Sequence, residues 1–342
     1  MKNLVKFIYK IFKKNTGIIS LPFKLNLYLT NQCNCRCKIC NIWKKNTMNE
    51  LKTADWDKFF SLNNYFSWID IAGGEIFLRN DIQKIFDIII KRCSELYLIH
   101  FATNGILTNK IYDNVLYLKK IFKGKIIITV SLDGIRSIHD NLRGRPGTYD
   151  SAIETYKRLK DISESQTHIG YTISKYNAGK LPEFINDLKK TLNNFQLENL
   201  HLNLCQTSAI YYSNQNIDHN PSRPEYSKDI NYYIKQIKLP TNILQYLEKK
   251  YLKKLIKYNK NLIYPFSSCG ALNSTITINP YGEVYPCQFY DKALGALDSA
   301  NYNLNEILYS PMAKKLKKNI LHRCPGCWTA CEAFPSLISH IY

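Results

Sequence analysis

KLNLYLTNQCNCRCKIC, residues 24–40, opens on a short apolar run of strand character and closes on four cysteines crowded into eight residues. That order puts chemically demanding side chains at the C-terminal end of a strand. Three more stretches follow the same plan. WIDIA at 68–72 runs into Gly73, Gly74 and Glu75; LYLIHFA at 96–102 runs into Thr103, Asn104 and Gly105; KIIITVSL at 125–132 ends in Ser131 and Leu132, with Asp133 and Gly134 next. Runs at 169–174 and 200–204 complete six strands. Helical segments at 55–62, 81–93, 110–122, 149–163 and 181–193 lie between them, with Asn80 or Asp81 and Thr148 as caps of two. Strands alternating with helices build a parallel sheet through right-handed crossovers, here an α/β fold with a curved sheet or partial (β/α)6 barrel. Functional residues of such folds gather at strand C-terminal ends, so the four loops converge on one rim.

Further out, the alternation stops after residue 206. Residues 213–223 are polar and read as a loop; 226–262 read as helical and Lys-rich, broken at Pro240. TITINPYGEVY at 275–285 reads as a β-hairpin turning at Pro280, Tyr281 and Gly282, and it sits between Cys269 and Cys287. At the other end, residues 1–15 (MKNLVKFIYKIFKKN) are basic and amphipathic. They lack the apolar core and cleavage site of a signal peptide, and fit either a helix packed on the core or peripheral membrane contact. The organisation expected is 1–23 as this segment, 24–210 as the α/β core, 211–264 as a helical linker region and 265–342 as a C-terminal hairpin/helix module.

The 342 residues are 45% hydrophobic and 22% charged, ordinary globular composition with room for a sizeable core. No apolar run reaches the ~18 residues of a membrane span. The net charge is +20, but only nine of the 47 basic residues are Arg. Nucleic-acid sites lean on Arg forks, so the composition argues against a nucleic-acid partner. The eleven cysteines are odd in number and clustered, in a chain without a secretory signal. They read as metal ligands in a cytoplasmic protein rather than as a disulfide framework.

Cys33, Cys37 and Cys40 are spaced C-x3-C-x2-C. Three thiolates in one short loop can wrap three irons of a cubane cluster and leave the fourth iron open. A zinc site would need a fourth ligand, which only Cys35 supplies nearby. Cys35 fits no cluster frame and otherwise reads as a bystander. This motif after a first strand, with GGE after the second and SLDG after the fourth, resembles the radical S-adenosylmethionine (SAM) superfamily. The resemblance implies a [4Fe-4S] cluster on Cys33, Cys37 and Cys40, whose open iron chelates SAM. One electron, from a donor such as flavodoxin or ferredoxin, then cleaves SAM to methionine and a 5′-deoxyadenosyl radical that abstracts a substrate hydrogen. The rim residues suit that ligand. Gly73 and Gly74 permit close backbone approach. Glu75 can accept from the methionine ammonium. Ser131 can serve a ribose or carboxylate. The fork of Arg143, in HDNLRGRPGTYD, suits the SAM carboxylate. Asn104 either touches SAM or makes a turn. The sequence departs from the family at Ile39, often aromatic, and at Ile76, often Pro.

Cys269, Cys287, Cys324, Cys327 and Cys331 form a second set, with Gly282 five residues before Cys287. It resembles the SPASM/Twitch extension of the same superfamily. Five cysteines suffice for one auxiliary [4Fe-4S] cluster and not for two. The resemblance implies Cys269, Cys287, Cys324 and Cys327 as its ligands, with Cys331 able to replace one; a zinc knuckle would use the same residues. Cys93 and Cys205 read as buried apolar residues. Sulfatase-maturing relatives carry Asp directly after the Cys that ends the hairpin, where this chain has Gln288; that leaves no obvious base, Glu283 and Asp291 being nearby acids of solvated character. The expected function is that of a radical SAM oxidoreductase acting on a peptide or small biosynthetic intermediate. A radical SAM transferase for RNA or lipid, and a zinc-structured nucleic-acid-binding protein, stand as alternatives.

Overall fold

The computed structural model describes residues 2–15, 21–162, 165–219, 223–240, 243–261, 264–265, 269–320, 324 and 326–338. Helix α1 (Lys2–Asn15) precedes strand β1 (Lys24–Tyr28). The β/α alternation then runs α2 (Thr53–Leu62), β2 (Trp68–Ala72), α3 (Ile82–Arg92), β3 (Leu98–Thr103), α4 (Thr108–Ile121), β4 (Lys125–Ser131), α5 (Arg136–Arg143), α6 (Thr148–Lys160), β5 (Ser165–Ile173), α7 (Leu181–Thr191) and β6 (Leu200–Leu204). Helices α8 (Arg223–Gln236) and α9 (Ile243–Asn261) follow. The C-terminal part holds β7 (Thr275–Ile278), β8 (Glu283–Tyr285), β9 (Gly295–Ala296), α10 (Leu304–Leu308), α11 (Pro311–Lys318) and α12 (Ala330–Ile338).

Strands β1 to β6 pair in chain order, all in parallel, as the alternation predicts. The sheet does not close. The free edge of β1 takes β7 in parallel, from Lys24 opposite Thr275 to Leu27 opposite Ile278, and β8 and β9 continue antiparallel. The order is β6-β5-β4-β3-β2-β1-β7-β8-β9. The hairpin expected in a module of its own therefore extends the core sheet.

Side chains alternate across this sheet. One face carries Leu25, Leu27, Ile69, Ile71, Ile99, Phe101, Ile126, Ile128, Ile169, Tyr171, Leu200 and Leu202, all buried in one apolar cluster with Phe59, Phe86, Val115, Leu159 and Phe184 of the covering helices. Each such side chain contributes about 1.5–3 kcal/mol by leaving water. The other face is mixed: Lys24, Asn26, Asp70, His100, Thr129 and His201 take intervening positions, while Trp68, Leu98 and Ile127 of the same parity join an apolar cluster at its N-terminal end. Strand β5 starts at Ser165, four residues before the apolar run that announced it. Of its polar opening residues, Gln166 and His168 share the parity of this second face.

Helix α5 has no counterpart in the sequence reading, since RSIHDNLR buries only His139 and Leu142. Its Asp140 supplies a cap to the next helix: the carboxylate accepts from Gly147 N at 2.8 Å, Thr148 Oγ1 at 2.7 Å and Tyr149 N at 2.8 Å. Thr148 is thus the first residue of α6, not its cap. Asp81 does precede α3, but its carboxylate is held by Arg79 and Thr53 instead of the helix backbone. The turn at Pro280, Tyr281 and Gly282 forms as expected, with Gly282 at φ +83°.

Candidate functional site

The cysteine loop leaves β1 and is tied on three sides. Gly74 N donates to Thr30 O and Glu75 N to Gln32 O, both at 2.7 Å. A Cβ on Gly73, at φ +150°, would lie 2.3 Å from Thr30 O, and one on Gly74 would lie 2.0 Å from Gln32 O. The close approach these glycines make in the structure is to the neighbouring loop. On the second side Arg36 N donates to Arg143 O at 2.9 Å and Lys38 N to Leu142 O at 2.8 Å, fastening the loop to the end of α5. Gly144 ends that helix at φ +64°, and a Cβ there would sit 2.4 Å from Arg36 O. On the third side the segment after β6 braces the loop: Asn41 N donates to Tyr212 O at 2.7 Å and Asn214 Nδ2 to Ile39 O at 3.0 Å.

Cys33, Cys37 and Cys40 are partly exposed, and Cys35 is buried. The Cys35 thiol stands between those of Cys33 and Cys37 and hydrogen-bonds with both. That bond is the chief influence lowering Cys33, and it brings Cys37 down to about 7 with help from Arg143. Burial pushes Cys40 up to about 12. Cys35 thus lies among the thiols of the motif, a placement that spacing alone does not reveal because it carries no side-chain direction.

Around the thiols stand the other rim residues. The Arg143 guanidinium pairs with the buried carboxylate of Asp133 and reaches Cys37 Sγ at 3.9 Å. Its buried Nε donates to nothing among the described residues. Asp133, second partner in this ion pair, also accepts from Thr172 N at 2.8 Å. The SLDG motif contained this aspartate, but only the fold shows that it anchors Arg143. Glu75 is buried; its Oε2 accepts from Thr103 Oγ1 at 2.9 Å and Asn104 N at 2.8 Å, while Oε1 has only a longer contact from Phe77 N at 3.4 Å. Burial pushes its carboxyl up to about 7. Asn104 makes the turn and also touches the cysteine loop: its Oδ1 accepts from Ile106 N at 3.0 Å and its Nδ2 donates to Asn34 Oδ1 at 2.7 Å. Ser131 ends β4 with a half-buried side chain.

These residues fit an iron–sulfur cube with SAM by their donor chemistry. Three thiols share one loop, a carboxylate keeps one oxygen nearly open, and a buried guanidinium N–H lacks a partner. Among the described residues no three metal-binding side chains converge on one point as a single ion requires. A cube spreads its thiolates over separate irons.

In the C-terminal set, Cys327 is held well above the ordinary thiol value, first by burial and then by Cys287, Cys269 and Cys324 beside it. Cys269, Cys287 and Cys324 thus lie within electrostatic reach of Cys327. Cys331, second residue of α12, points elsewhere: its thiol bonds to Asp70 and its carbonyl accepts from Lys24 Nζ at 2.6 Å. Pro325 lies outside the described residues. Cys93 and Cys205 are buried, as expected. Gln288 is buried too, with Oε1 accepting from Tyr28 OH at 2.7 Å and Nε2 donating to Thr329 Oγ1 at 3.1 Å. Glu283 accepts from Asn279 Nδ2 at 2.6 Å and Tyr285 OH at 2.9 Å, and Asp291 is exposed, so neither faces the cysteines as a base.

Between the two cysteine sets stand Tyr28 and Tyr211, ring centroids 4.6 Å apart, with Tyr212 4.6 Å beyond. Tyr211 feels the charges of Cys40, Cys331 and Cys33. The sequence reading passed over all three tyrosines. Tyr28 lies on the first strand, and its inward parity was the available signal; 211–212 fall in a segment without periodicity.

The chain matches the family model of the Radical SAM superfamily over residues 27–188 and that of the SPASM iron–sulfur cluster-binding domain over residues 269–331. It is 26% identical over 302 residues to the antilisterial bacteriocin subtilosin biosynthesis protein AlbA of Bacillus subtilis, a match covering 86% of this chain and 61% of AlbA. Its fold is shared with SuiB of Streptococcus suis bound to its precursor peptide SuiA, at a TM-score of 0.60 and 16% identity over 92% of this chain and 71% of SuiB. It is shared equally with anSMEcpe bound to AdoMet, at a TM-score of 0.60 and 16% identity over 86% of this chain and 83% of that one.

Proposed function

The chain belongs to the radical SAM superfamily and carries a SPASM-type iron–sulfur cluster-binding domain, and from this we propose that it is a peptide-modifying oxidoreductase. The observation that carries the reading is the rim itself, where the Cys33–Cys37–Cys40 loop is hydrogen-bonded to both the Glu75 loop and the Arg143 helix. Cys33, Cys37 and Cys40 would hold a [4Fe-4S] cube, and Cys269, Cys287, Cys324 and Cys327 an auxiliary one. The bound cofactors supply one-electron cleavage of SAM and hydrogen abstraction from the substrate.

This chain's residues bind and orient. Oε1 of Glu75 accepts from the methionine ammonium, and Arg143, fixed by Asp133, presents its spare N–H to the SAM carboxylate. Ser131 serves the ribose or carboxylate, and Asn104 keeps the β3 turn against the cysteine loop. Tyr28 and Tyr211 exclude water from the space between the two cysteine sets. Gln288 has no titratable group and its amide is held by Tyr28 and Thr329, so it is not the base. A peptide substrate is supported by AlbA, named for bacteriocin biosynthesis, and by SuiB, whose structure holds a precursor peptide. Flavodoxin or ferredoxin supplies the electron, in the reducing cytoplasm that a chain of eleven thiols requires.

The test is anaerobic reconstitution with iron and sulfide, then reduction in the presence of SAM. Formation of 5′-deoxyadenosine, lost in the Cys33→Ala/Cys37→Ala/Cys40→Ala variant, is expected. Its absence from a wild-type protein with full iron content would overturn the reading. Deuterium transfer from a labelled precursor peptide into 5′-deoxyadenosine then tests the substrate class.

A further inference from the structure

Helix α1 lies on the rim opposite the cysteine loop. Asn3 Nδ2 donates to Ser94 O at 3.2 Å and Leu96 O at 3.0 Å, and the Lys6 and Lys10 ammonium groups pair with Glu95 at 2.8 and 2.7 Å. Phe7 is buried against Phe23, Trp68 and Tyr97. These partners sit at the N-terminal ends of β2 and β3, whereas the cysteine loop leaves a strand C-terminus.

A second stripe of α1 is exposed, touched from within the helix by Lys13, whose ammonium lies 4.7 Å from the centre of the Tyr9 ring. Leu4, Val5, Ile8, Tyr9 and Phe12 are 37%, 64%, 54%, 54% and 53% exposed. Their spacing places them on one side of the helix, turned away from Asn3, Phe7 and Lys10. Lys2, Lys6 and Lys13 fall along one flank of that stripe, and α1 contains no acidic residue. The surrounding rim is basic as well. Helices α3, α4 and α6 reach it with last turns that include Lys91, Lys120 and Lys157, and the exposed Lys123 precedes β4 there. The helix dipole rationalises a cation at each of those C-termini. It does not account for an apolar stripe left in water beside them.

We propose that α1 and the basic rim around it dock this protein on an anionic membrane surface. The stripe of Val5, Ile8, Tyr9 and Phe12 enters the headgroup–acyl boundary, and the lysines meet anionic headgroups. Nucleic acid has no use for the apolar stripe. The contact is peripheral, because among the described residues no helix is long and apolar enough to span a bilayer. Docked this way, the protein turns the rim of Cys33, Glu75 and Arg143 away from the bilayer, open to donor and substrate from the aqueous side.

Cosedimentation of the full chain with vesicles tests this. Vesicles of phosphatidylcholine with one-third phosphatidylglycerol should pull down most of the protein at low salt, and phosphatidylcholine alone should not. The Ile8→Glu/Phe12→Glu variant, altered only where α1 is exposed, should lose at least tenfold in vesicle affinity while keeping its thermal melt and its SAM cleavage in solution. Wild-type protein that stays in the supernatant with the anionic vesicles overturns the proposal. Equal binding of wild type and variant overturns it too, as does a concentration-dependent dimer, dispersed by the variant, that forms in place of vesicle binding.

Discussion

Glu75 holds the β3 turn through Thr103 and Asn104, is the proposed acceptor of the SAM ammonium, and has its carboxyl raised to about 7 by burial. Below that pH the carboxyl is protonated before SAM arrives and has lost the charge that attracts an ammonium. Apparent affinity for SAM should therefore fall as pH drops through neutrality, by at most about tenfold per pH unit, and level off above it. The Glu75→Gln variant should bind weakly with a flat profile; equilibrium dialysis of labelled SAM across neutral pH reads both. Cys35 makes a different case at the same scale. Its thiol lies between Cys33 and Cys37, yet C-x3-C-x2-C is complete without it. Cys35→Ala should keep the iron that the Cys33/Cys37/Cys40 triple variant loses, about four atoms per chain. Elemental analysis decides, and a loss of that size in Cys35→Ala would move the ligand assignment. The candidate ligands were legible because spacing encodes a covalent frame. The Asp133 anchor and the pairing of Cys331 with Asp70 were not, since each depends on where a side chain meets a partner far along the chain.

Among the elements, α5 acts through its end. Its last carbonyls bind the cysteine loop, and Gly144 makes that possible by lacking a Cβ at φ +64°. Gly144→Ala should destabilise the protein by about 1–3 kcal/mol through left-handed strain alone. It should also displace Arg36, so iron at the first site is lost while the C-terminal site keeps its own. A melt followed by cluster absorbance, with iron counted per chain, separates the two effects. Apolar strands and long amphipathic helices announced themselves in the sequence. This helix did not, because eight residues with two buried side chains give too little periodicity. The cap of α6 escaped for a related reason: Asp140 reaches it from seven to nine residues upstream.

Across the whole molecule, the mixed face of the sheet is wired to the C-terminal part. Lys24 Nζ pairs with Asp70 at 2.6 Å, fully buried, and also donates to Cys331 O. Asn26 Nδ2 donates to Glu332 Oε1 at 3.0 Å, and Thr275 Oγ1 to Glu332 Oε2 at 2.7 Å. Removing one member of a buried pair leaves the other uncompensated, so Lys24→Met should cost about 3–5 kcal/mol. The pH signs follow from the shifts. Despite burial, Lys24, Cys331's neighbour, holds its charge above the ordinary 10.5 with Asp70 as chief partner, so its contribution is lost as pH rises past that value. Asp70 is depressed below 3.8 by Lys24 and His100 against the opposing effect of burial, so its contribution is present above that pH and lost below it. Denaturant melts should show wild type losing stability at both extremes and Lys24→Met losing less in alkali. None of this wiring was legible beforehand, because no local pattern says that residues 24–28 will lie beside 275–278.

That pairing has a consequence in time. β1 is made first and β7, its edge partner, some 250 residues later. At about 5–20 residues per second, the ribosome needs roughly 10–50 s to deliver the strand that covers that edge. Throughout the interval a nascent chain carries open backbone donors along β1, ready to recruit a strand from another nascent chain on the same message. Yield of folded protein should therefore depend on how fast the last quarter of the chain is translated, and slow codons placed between 206 and 275 should send more of it into aggregates.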